Sequence, residues 1–445
     1  MSRLFATASA AALLAGIVPS ANAQISTPAN PSVGTPVTRE LAGPPAPAPT
    51  TVAAPVRTGP VPARLTLPQA LEEAAARSPA VAAARAEVAA AEARARQAGF
   101  RSNPELSVQV ENFGGTGQLR GLRTTETTVA LNQRLDLGGR RSARVRVAGA
   151  QLRVQRIRLA IAQAEVAQNV RQQFARAIAA NERLTQAQDN VNWAKELARV
   201  TGILVEAGRE PPLRATRARS ALAQAEAALE AARAQETAAR TTLGSLFGVS
   251  APVEAIVEGP LDTKPTGINV DRSLDIQLAD AEREQAAAEL EQQLAERRLD
   301  PAVGVGVRHI RETDDVGLVA GLSMPLRVFD RNQGNIAAAR SNLTAAEARR
   351  VNALAGVTAR GRNAIANVEA AQRRLSALSK SALPEAREAL RLAQFAYEQG
   401  KISLLELIDA QNSYIATQAS LTEAELALAE ATAELARIAA QQEQP

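Results

Sequence analysis

The chain has 445 residues, of which 46% are hydrophobic but only 2% aromatic, a profile that favours long packed helices over a compact mixed core. Its 51 basic and 46 acidic residues are interleaved and leave a net charge of +5. Binding to nucleic acid requires a clustered basic stripe with stacking aromatics, so no nucleic-acid partner is expected.

The N-terminus carries the three parts of a secretory signal. Arg3 supplies a positive charge, residues 4–18 are apolar, and Ala21-Asn22-Ala23 forms an A-x-A cleavage site. We therefore predict a signal peptide over 1–23. The apolar run is shorter than the roughly 20 residues of a membrane-spanning helix. A membrane location would have to come from β-strands.

Residues 24–64 are rich in Pro, Ala, Thr and Gly and contain almost no large apolar side chains. This composition predicts a disordered or extended tether. The chain has no cysteine, which excludes disulfides, thiolate metal sites and a lipid attached to an N-terminal cysteine. Attachment to a membrane is therefore expected to come from the fold itself.

From residue 65 onward the sequence contains one unit twice. Each half reads as a helix, a strand pair, a very long helix, a Gly-containing turn and a last helix. The first repeat is predicted over 65–250 and the second over 270–440, with a linker over 251–269 and a tail over 441–445. Equivalent positions are Asn103-Pro104 and Asp300-Pro301, Leu135 and Leu326, and Gly208 and Gly400.

The long helix of each half has about 65 residues and would be close to 100 Å long. The two shorter helices of a half together match that length, so we predict that they stack end to end beside it. A heptad repeat with a four-residue step, from Val145 to Val166 and again from Val170, predicts a coiled-coil seam. Pro384 should kink the second long helix.

Four segments alternate apolar and polar residues and are predicted strands: about 103–113, 124–137, 301–311 and 315–329. Each has the length of a tilted membrane strand. Four strands cannot close a barrel, and open sheet edges are not tolerated in lipid. Three chains would supply twelve strands, so the geometry predicts a homotrimer with a 12-stranded β-barrel.

Two segments resemble a known family. Residues 391–428, RLAQFAYEQGKISLLELIDAQNSYIATQASLTEAELAL, resemble the second periplasmic turn and following helix of the TolC-type outer-membrane efflux proteins. NPELSVQVENFGG at 103–115 and LDLGGRR at 135–141 are similar to the cobalt-zinc-cadmium resistance (CzcC-like) branch. The order of elements extends the resemblance over about 65–440.

The resemblance implies a mainly α fold with a small β part. The strands would form a β-barrel in the outer membrane of a Gram-negative bacterium, and the duplicated coiled-coil helices an α-barrel across the periplasm. It further implies docking to a periplasmic adaptor and energy from an inner-membrane transporter of the RND type. The cargo of the similar branch is heavy-metal cations. The channel itself would be a passive conduit, neither an enzyme nor a binder of cofactors.

The periplasmic end is expected at the two Gly-containing turns, because both strand pairs lie at the opposite end of the long helices. The adaptor would dock there, at Gly208, Arg209, Gly400 and Lys401.

A gate is expected beside these turns. The resemblance places Tyr397, Glu406 and Asp409 at the periplasmic constriction, and the duplication puts Arg214 at the position of Glu406 and Arg217 at that of Asp409. Each pair is spaced i, i+3 and shares a helix face. Our hypothesis is that acidic and basic helix starts alternate around the trimer and hold the aperture shut. The alternative is that these are solvated charges worth under about 1 kcal/mol each.

No metal or catalytic site is predicted. Zinc, cobalt and cadmium sites require His, Cys or clustered carboxylates, and the chain has a single histidine, His309, which we interpret as a polar wall residue. One histidine offers no convincing catalytic triad. Two alternatives stay open: a channel for drugs or for type I protein secretion, and a periplasmic coiled-coil scaffold or adaptor whose strands form a small soluble domain.

Overall fold

A computed structural model describes residues 57, 59–257 and 269–441. The predicted signal peptide, most of the predicted tether and part of the predicted linker lie outside this part of the chain. Within the described residues, no helix combines the length and the apolar character needed to cross a membrane.

The first half consists of four helices and three strands. In chain order these are β1 (Arg64–Leu65), α1 (Leu67–Arg77), α2 (Pro79–Ala98), β2 (Glu105–Glu111), β3 (Glu126–Arg134), α3 (Arg140–Glu206) and α4 (Pro212–Ser245).

The second half repeats this order after the short strand β4 (Ala255–Ile256). Its elements are α5 (Leu274–Glu296), β5 (Ala302–Ile310), β6 (Asp315–Ser323), α6 (Gln333–Ala377), α7 (Leu383–Glu398) and α8 (Leu404–Ala439). Both halves thus run from a helix through a hairpin to a long helix, a turn and a last helix.

The shorter helices pack along the long ones as predicted. Helices α1, α2 and α4 contact α3, while α5 and α8 contact α6. Helix α3 also packs against α5 and α8, which joins the two halves into one body. The largest fully buried side chain among the described residues, Phe174, is 1% exposed and packs in one cluster with Val170 and Leu243.

Ion pairs run along the seam between the halves, with arginines of α3 facing acids of the second half. Five of them are Arg146–Glu291 (2.8 Å), Arg153–Glu284 (2.7 Å), Arg158–Glu282 (3.1 Å), Arg176–Glu430 (2.7 Å) and Arg183–Glu423 (2.7 Å). Exposed pairs contribute at most about 1 kcal/mol each. Seven residues separate Arg146 from Arg153 and Arg176 from Arg183, and the same spacing separates their partners, which helps to fix the register of the antiparallel helices.

The single helix predicted between residues 65 and 100 is instead two helices. Ser78 is the N-cap of α2, and its hydroxyl accepts a hydrogen bond from the amide of Val81. Pro79 follows at the first helical position, where its missing N–H costs nothing. A continuous helix would lose a backbone hydrogen bond at this proline, so the chain starts a new helix there.

The second long helix is interrupted where Pro384 predicted a disturbance. A π-helical turn at Leu378–Ala382 separates α6 from α7, and Pro384 lies in the first turn of α7. Proline has no backbone N–H, so a carbonyl of the preceding turn loses its usual hydrogen-bond partner. The wider π-helical turn accommodates this loss.

The end of the predicted tether contacts the rest of the chain, and its last residue, Arg64, lies in a strand. Strand β1 pairs in parallel with β4, so that Leu65 lies opposite Ile256 and is fully buried. The side chain of Arg77, 5% exposed, donates to Glu73 at 2.5 Å and to the carbonyls of Gly59 and Pro60. The predicted linker likewise begins with an ordered strand. Two-residue strands are too short to produce a sequence pattern.

The four remaining strands form one antiparallel sheet in the order β2-β3-β5-β6. The two hairpins are joined because β3 pairs with β5 along its whole length.

Two strands end earlier than predicted. Strand β3 stops at Arg134 rather than 137, since Asp136 adopts a positive φ of 46° that cannot continue a strand. Strand β6 stops at Ser323 rather than 329, shortly before Pro325, which has no amide hydrogen for a ladder.

Candidate functional site

One face of the sheet is apolar across all four strands. Register places Leu106, Leu131, Val305 and Ala320 in one row, and the next row is Val108, Val129, Val307 and Leu318. These side chains are largely uncovered, and Leu318 is 92% exposed. An apolar face of this size marks a surface for lipid or another partner.

The opposite face is polar and carries charge. Arg308 contacts Glu111 at 3.1 Å and Glu126 at 2.9 Å, and the amide of Asn132 donates to the hydroxyl of Ser107. The sheet therefore has the two-sided pattern of a wall between lipid and water.

His309 lies at the end of β5, opposite Val316 of β6, and its Nε2 is 2.9 Å from the Asp314 carboxylate. Across the described residues, no group of three or more His, Cys, Asp or Glu side chains is arranged to hold a metal ion.

The two Gly-containing turns have the same geometry. Gly208 and Gly400 adopt positive φ angles of 69° and 67°, and the next residue in each turn donates its amide to a carbonyl five residues back. Arg209 bonds Leu204 at 2.9 Å, and Lys401 bonds Ala396 at 2.8 Å. These are Schellman motifs, in which glycine tolerates the left-handed conformation without strain.

An apolar cluster holds the two turns side by side. It contains buried residues from four helices: Leu197 of α3, Ala218 of α4, Leu390 of α7, and Leu404 and Leu407 of α8. The charged residues near the starts of α4 and α8, which were predicted to form a gate, therefore lie beside one apolar cluster.

Three polar groups lie close together beside this cluster: Tyr397 of the second half, and Glu210 and Arg214 of the first half. Tyr397 packs against the cluster with its hydroxyl buried and without a hydrogen-bond partner among the described residues. Burial raises the pKa of Tyr397, and the nearby Glu210 adds to the rise while Arg214 opposes it. Arg214 itself pairs with Glu210 one helical turn before it.

Sequence reasoning missed Glu210, although an acid four residues before a base is a recognisable pairing signal. Among the described residues Arg214 pairs with Glu210 and forms no ion pair with Glu406.

Glu406 closes a capping box at the start of α8. Its carboxylate accepts the amide of Ser403 at 2.6 Å, and the hydroxyl of Ser403 accepts the amide of Glu406 at 3.3 Å. The backbone hydrogen bond from Ser403 lowers the pKa of Glu406, followed by the side-chain bond to the same residue. The capping contribution of the carboxylate is therefore fully present above the ordinary pKa of glutamate and is lost as the pH falls through the lowered pKa.

Asp409 and Arg217 are exposed, and neither forms an ion pair within the described part of the chain. The structure thus brings Tyr397 and Arg214 together and leaves Glu406, Asp409 and Arg217 on the surface of a single chain.

Comparison with known proteins identifies relatives with this organisation. The family model described as "Outer membrane efflux protein" matches residues 70–249 and 271–441. The cobalt-zinc-cadmium resistance protein CzcC of Cupriavidus metallidurans is 30% identical over 361 residues, which cover 78% of this chain and 84% of that protein.

A second relative is the nickel-cobalt-cadmium resistance protein NccC of Alcaligenes xylosoxydans xylosoxydans. It is 31% identical over 67% of this chain and 69% of its own length. Among solved structures, a membrane protein from Pseudomonas aeruginosa superimposes with a TM-score of 0.73 at 19% identity, covering 84% of this chain and 90% of that one.

Proposed function

The chain belongs to the outer membrane efflux protein family, and on that premise we propose that three copies form the outer-membrane channel of a tripartite pump that exports heavy-metal cations. The predicted family, the fold class and the outer-membrane location with a periplasmic extension are confirmed by the family match and the relatives.

The observation that carries the proposal is the two-sided sheet. One face is apolar and uncovered, the other is polar, and both outer strands, β2 and β6, have an open edge. Three copies joined edge to edge would give twelve strands with the apolar face toward lipid. A small soluble domain would have to cover this apolar face, so the pattern favours the channel over a periplasmic scaffold.

Heavy-metal cations are the proposed cargo because the relatives' names record resistance to cobalt, zinc, cadmium and nickel. The polar face of the sheet offers Glu111 and Glu126 to a passing cation, but both carboxylates already contact Arg308. Such a wall lets ions pass without binding them tightly. Selection of the metal would then belong to the partner proteins, an inner-membrane RND transporter and a periplasmic adaptor.

The cargo can be tested in the native host. Deletion of the gene should increase sensitivity to cobalt, zinc or cadmium salts, and the wild-type gene supplied in trans should restore growth. The readout is the inhibitory metal concentration, with an organic drug and a secreted reporter protein measured in parallel. Unchanged metal tolerance combined with lost drug tolerance or lost secretion would contradict the metal assignment and favour the other cargo.

The adaptor is proposed to dock at the two turns, through Gly208, Arg209, Gly400 and Lys401. The support is their equivalence: the same backbone motif occurs twice per chain, and the turns are held side by side. A trimer would present six such turns in a ring.

The gate is proposed at the charged helix starts above the apolar cluster. Arg217, Glu406 and Asp409 are exposed on a single chain, where they are available to a neighbouring copy. Arg214 and Tyr397 would form the inner layer, with Glu210 holding the arginine.

Removing the acidic charges should open the gate. In the variant Glu406→Gln with Asp409→Asn, glutamine keeps the capping box while both carboxylates are lost. Each exposed ion pair is worth at most about 1 kcal/mol, but the variant removes two carboxylates from every copy, so the open probability should rise by about tenfold or more. Single-channel recording in planar bilayers measures this probability together with cation preference.

The matched control replaces exposed acids far from the turns, Glu347→Gln with Glu434→Gln, and should conduct like the wild type. If the gate variant also conducts with unchanged open probability and ion preference, the charges do not form the gate.

A further inference from the structure

An open cleft of about 880 Å³ lies where the first hairpin gives way to the helices. Its walls come from the segment after α2, the end of β3 and the first turns of α3. Four of the ten lining residues are arginines and only one, Asp136, is acidic.

Three of these charges have partners of opposite sign. The pairs are Arg134–Glu105 at 3.7 Å, Arg146–Glu291 at 2.8 Å and Asp136–Arg144 at 3.8 Å. The positive excess in the cleft therefore comes from the two other arginines.

Arg101 and Arg141 supply this excess. Arg101 is exposed and has neither a hydrogen bond nor an ion pair among the residues described. Arg141 donates its Nε to the carbonyl of Gly99 at 2.6 Å, and no described group binds its two terminal nitrogens. A guanidinium with unused parallel donors matches the oxygens of a phosphate.

The start of α3 adds further positive potential. Gly139 is the N-cap of this helix and lines the cleft. The first amides of a helix lack partners within the helix, and the positive end of its dipole favours anions. With two arginines and a helix start at one cleft, the chemistry points to an anionic group.

Hydrocarbon surface adjoins the charges. Leu135 and Val145 line the cleft and are 37% and 40% exposed, while Gln133 continues the apolar row of β3 through its cross-strand partner Val303. A ligand that reaches from the arginines to this row would need both a phosphate and an apolar part.

We propose that the cleft binds the phosphate of a glycerophospholipid whose acyl chains lie along the exposed apolar face of the sheet. The inference rests on the proposed function for its location, because only a channel inserted in a membrane places this junction at the level of the headgroups. Bound lipid would fix the height of the channel in the bilayer.

Native mass spectrometry of the detergent-purified protein tests the proposal with three probes: dioctanoyl phosphatidylglycerol, dioctanoylglycerol and inorganic phosphate. The phosphatidylglycerol should bind and the dioctanoylglycerol, which lacks the phosphate, should not. The variant Arg101→Gln with Arg141→Gln should weaken binding about tenfold or more. Arg362→Gln, an exposed arginine of α6, should bind like the wild type. Arg101→Gln alone should show an intermediate loss and keeps the contact of Arg141 with Gly99.

The possible results separate the lipid proposal from the proposed channel function. Equal binding by the wild type and the double variant, or equal binding of both dioctanoyl probes, would overturn the proposal. Displacement of the lipid by equimolar inorganic phosphate would support an anion site and overturn the lipid as its ligand. Conductance of the same preparations is recorded separately, so a protein that binds the lipid but forms no channel would contradict the proposed function and leave the cleft assignment standing.

Discussion

The substitution Leu318→Arg should abolish assembly of the channel in the membrane. Leu318 lies in the middle of β6 on the apolar face and is 92% exposed. An arginine on the lipid face of a barrel costs about 2–4 kcal/mol near the bilayer midplane. The proposed trimer would contain three such residues, so the penalties would combine into a loss comparable with the whole stability of a typical domain.

The measurement is the amount of heat-resistant trimer in the outer-membrane fraction, together with metal tolerance of the host. The neighbouring substitution Val319→Arg serves as the control, because side chains alternate along a strand and Val319 belongs to the polar face. Trimers of Leu318→Arg at wild-type abundance, or an equal loss in both variants, would show that the apolar face does not meet lipid.

The substitution Phe174→Ala should destabilise the helical part of the molecule by about 3–5 kcal/mol per chain. Phe174 is 1% exposed at the point where α1, α3 and α4 meet, and the cavity left by its ring would be lined by Val170 and Leu243. These neighbours belong to different helices, so relaxation of one helix cannot fill the space.

Denaturant unfolding followed by the helical circular dichroism signal measures the change in the free energy of unfolding. Phe113→Ala removes the same ring from a site that is 66% exposed and should cost under about 1 kcal/mol. Similar values for the two variants would place the folding core elsewhere along the long helices.

The sequence predicts those parts of the fold that carry a period or a duplication. The alternation in residues 126–134 and 302–310 identified the faces of the sheet, and the equivalence of Gly208 and Gly400 identified two turns that share one backbone motif. Buried positions at Val170, Ala177 and Val191 follow the predicted heptad.

Other features depend on contacts that no local pattern reports. Near the start of α3 the buried positions are Val147 and Val154 rather than Val145, because this helix packs against α2 and α5 on different faces. The pairing of β3 with β5 joins segments about 180 residues apart in sequence, and the two-residue pairing of β1 with β4 has no period.

The candidate gate was likewise predicted only in part from the sequence. The duplication located Arg214 and Arg217 relative to Glu406 and Asp409. It could not show that Arg214 is held by Glu210, since the equivalent of Glu210 is Ile402 in the second half and the pair has no counterpart there. An ion pair that exists in only one repeat cannot be predicted from the duplication.

The joined hairpins also constrain how a newly made chain can mature. In the proposed trimer each copy would supply one third of the wall, and among the described residues the outer edges of β2 and β6 have no strand partner. Unpaired strand edges can pair with other exposed strands. The largely uncovered apolar surface beside them also favours misassembly in water. Closure with two further copies, as proposed above, would pair these edges and remove the hazard.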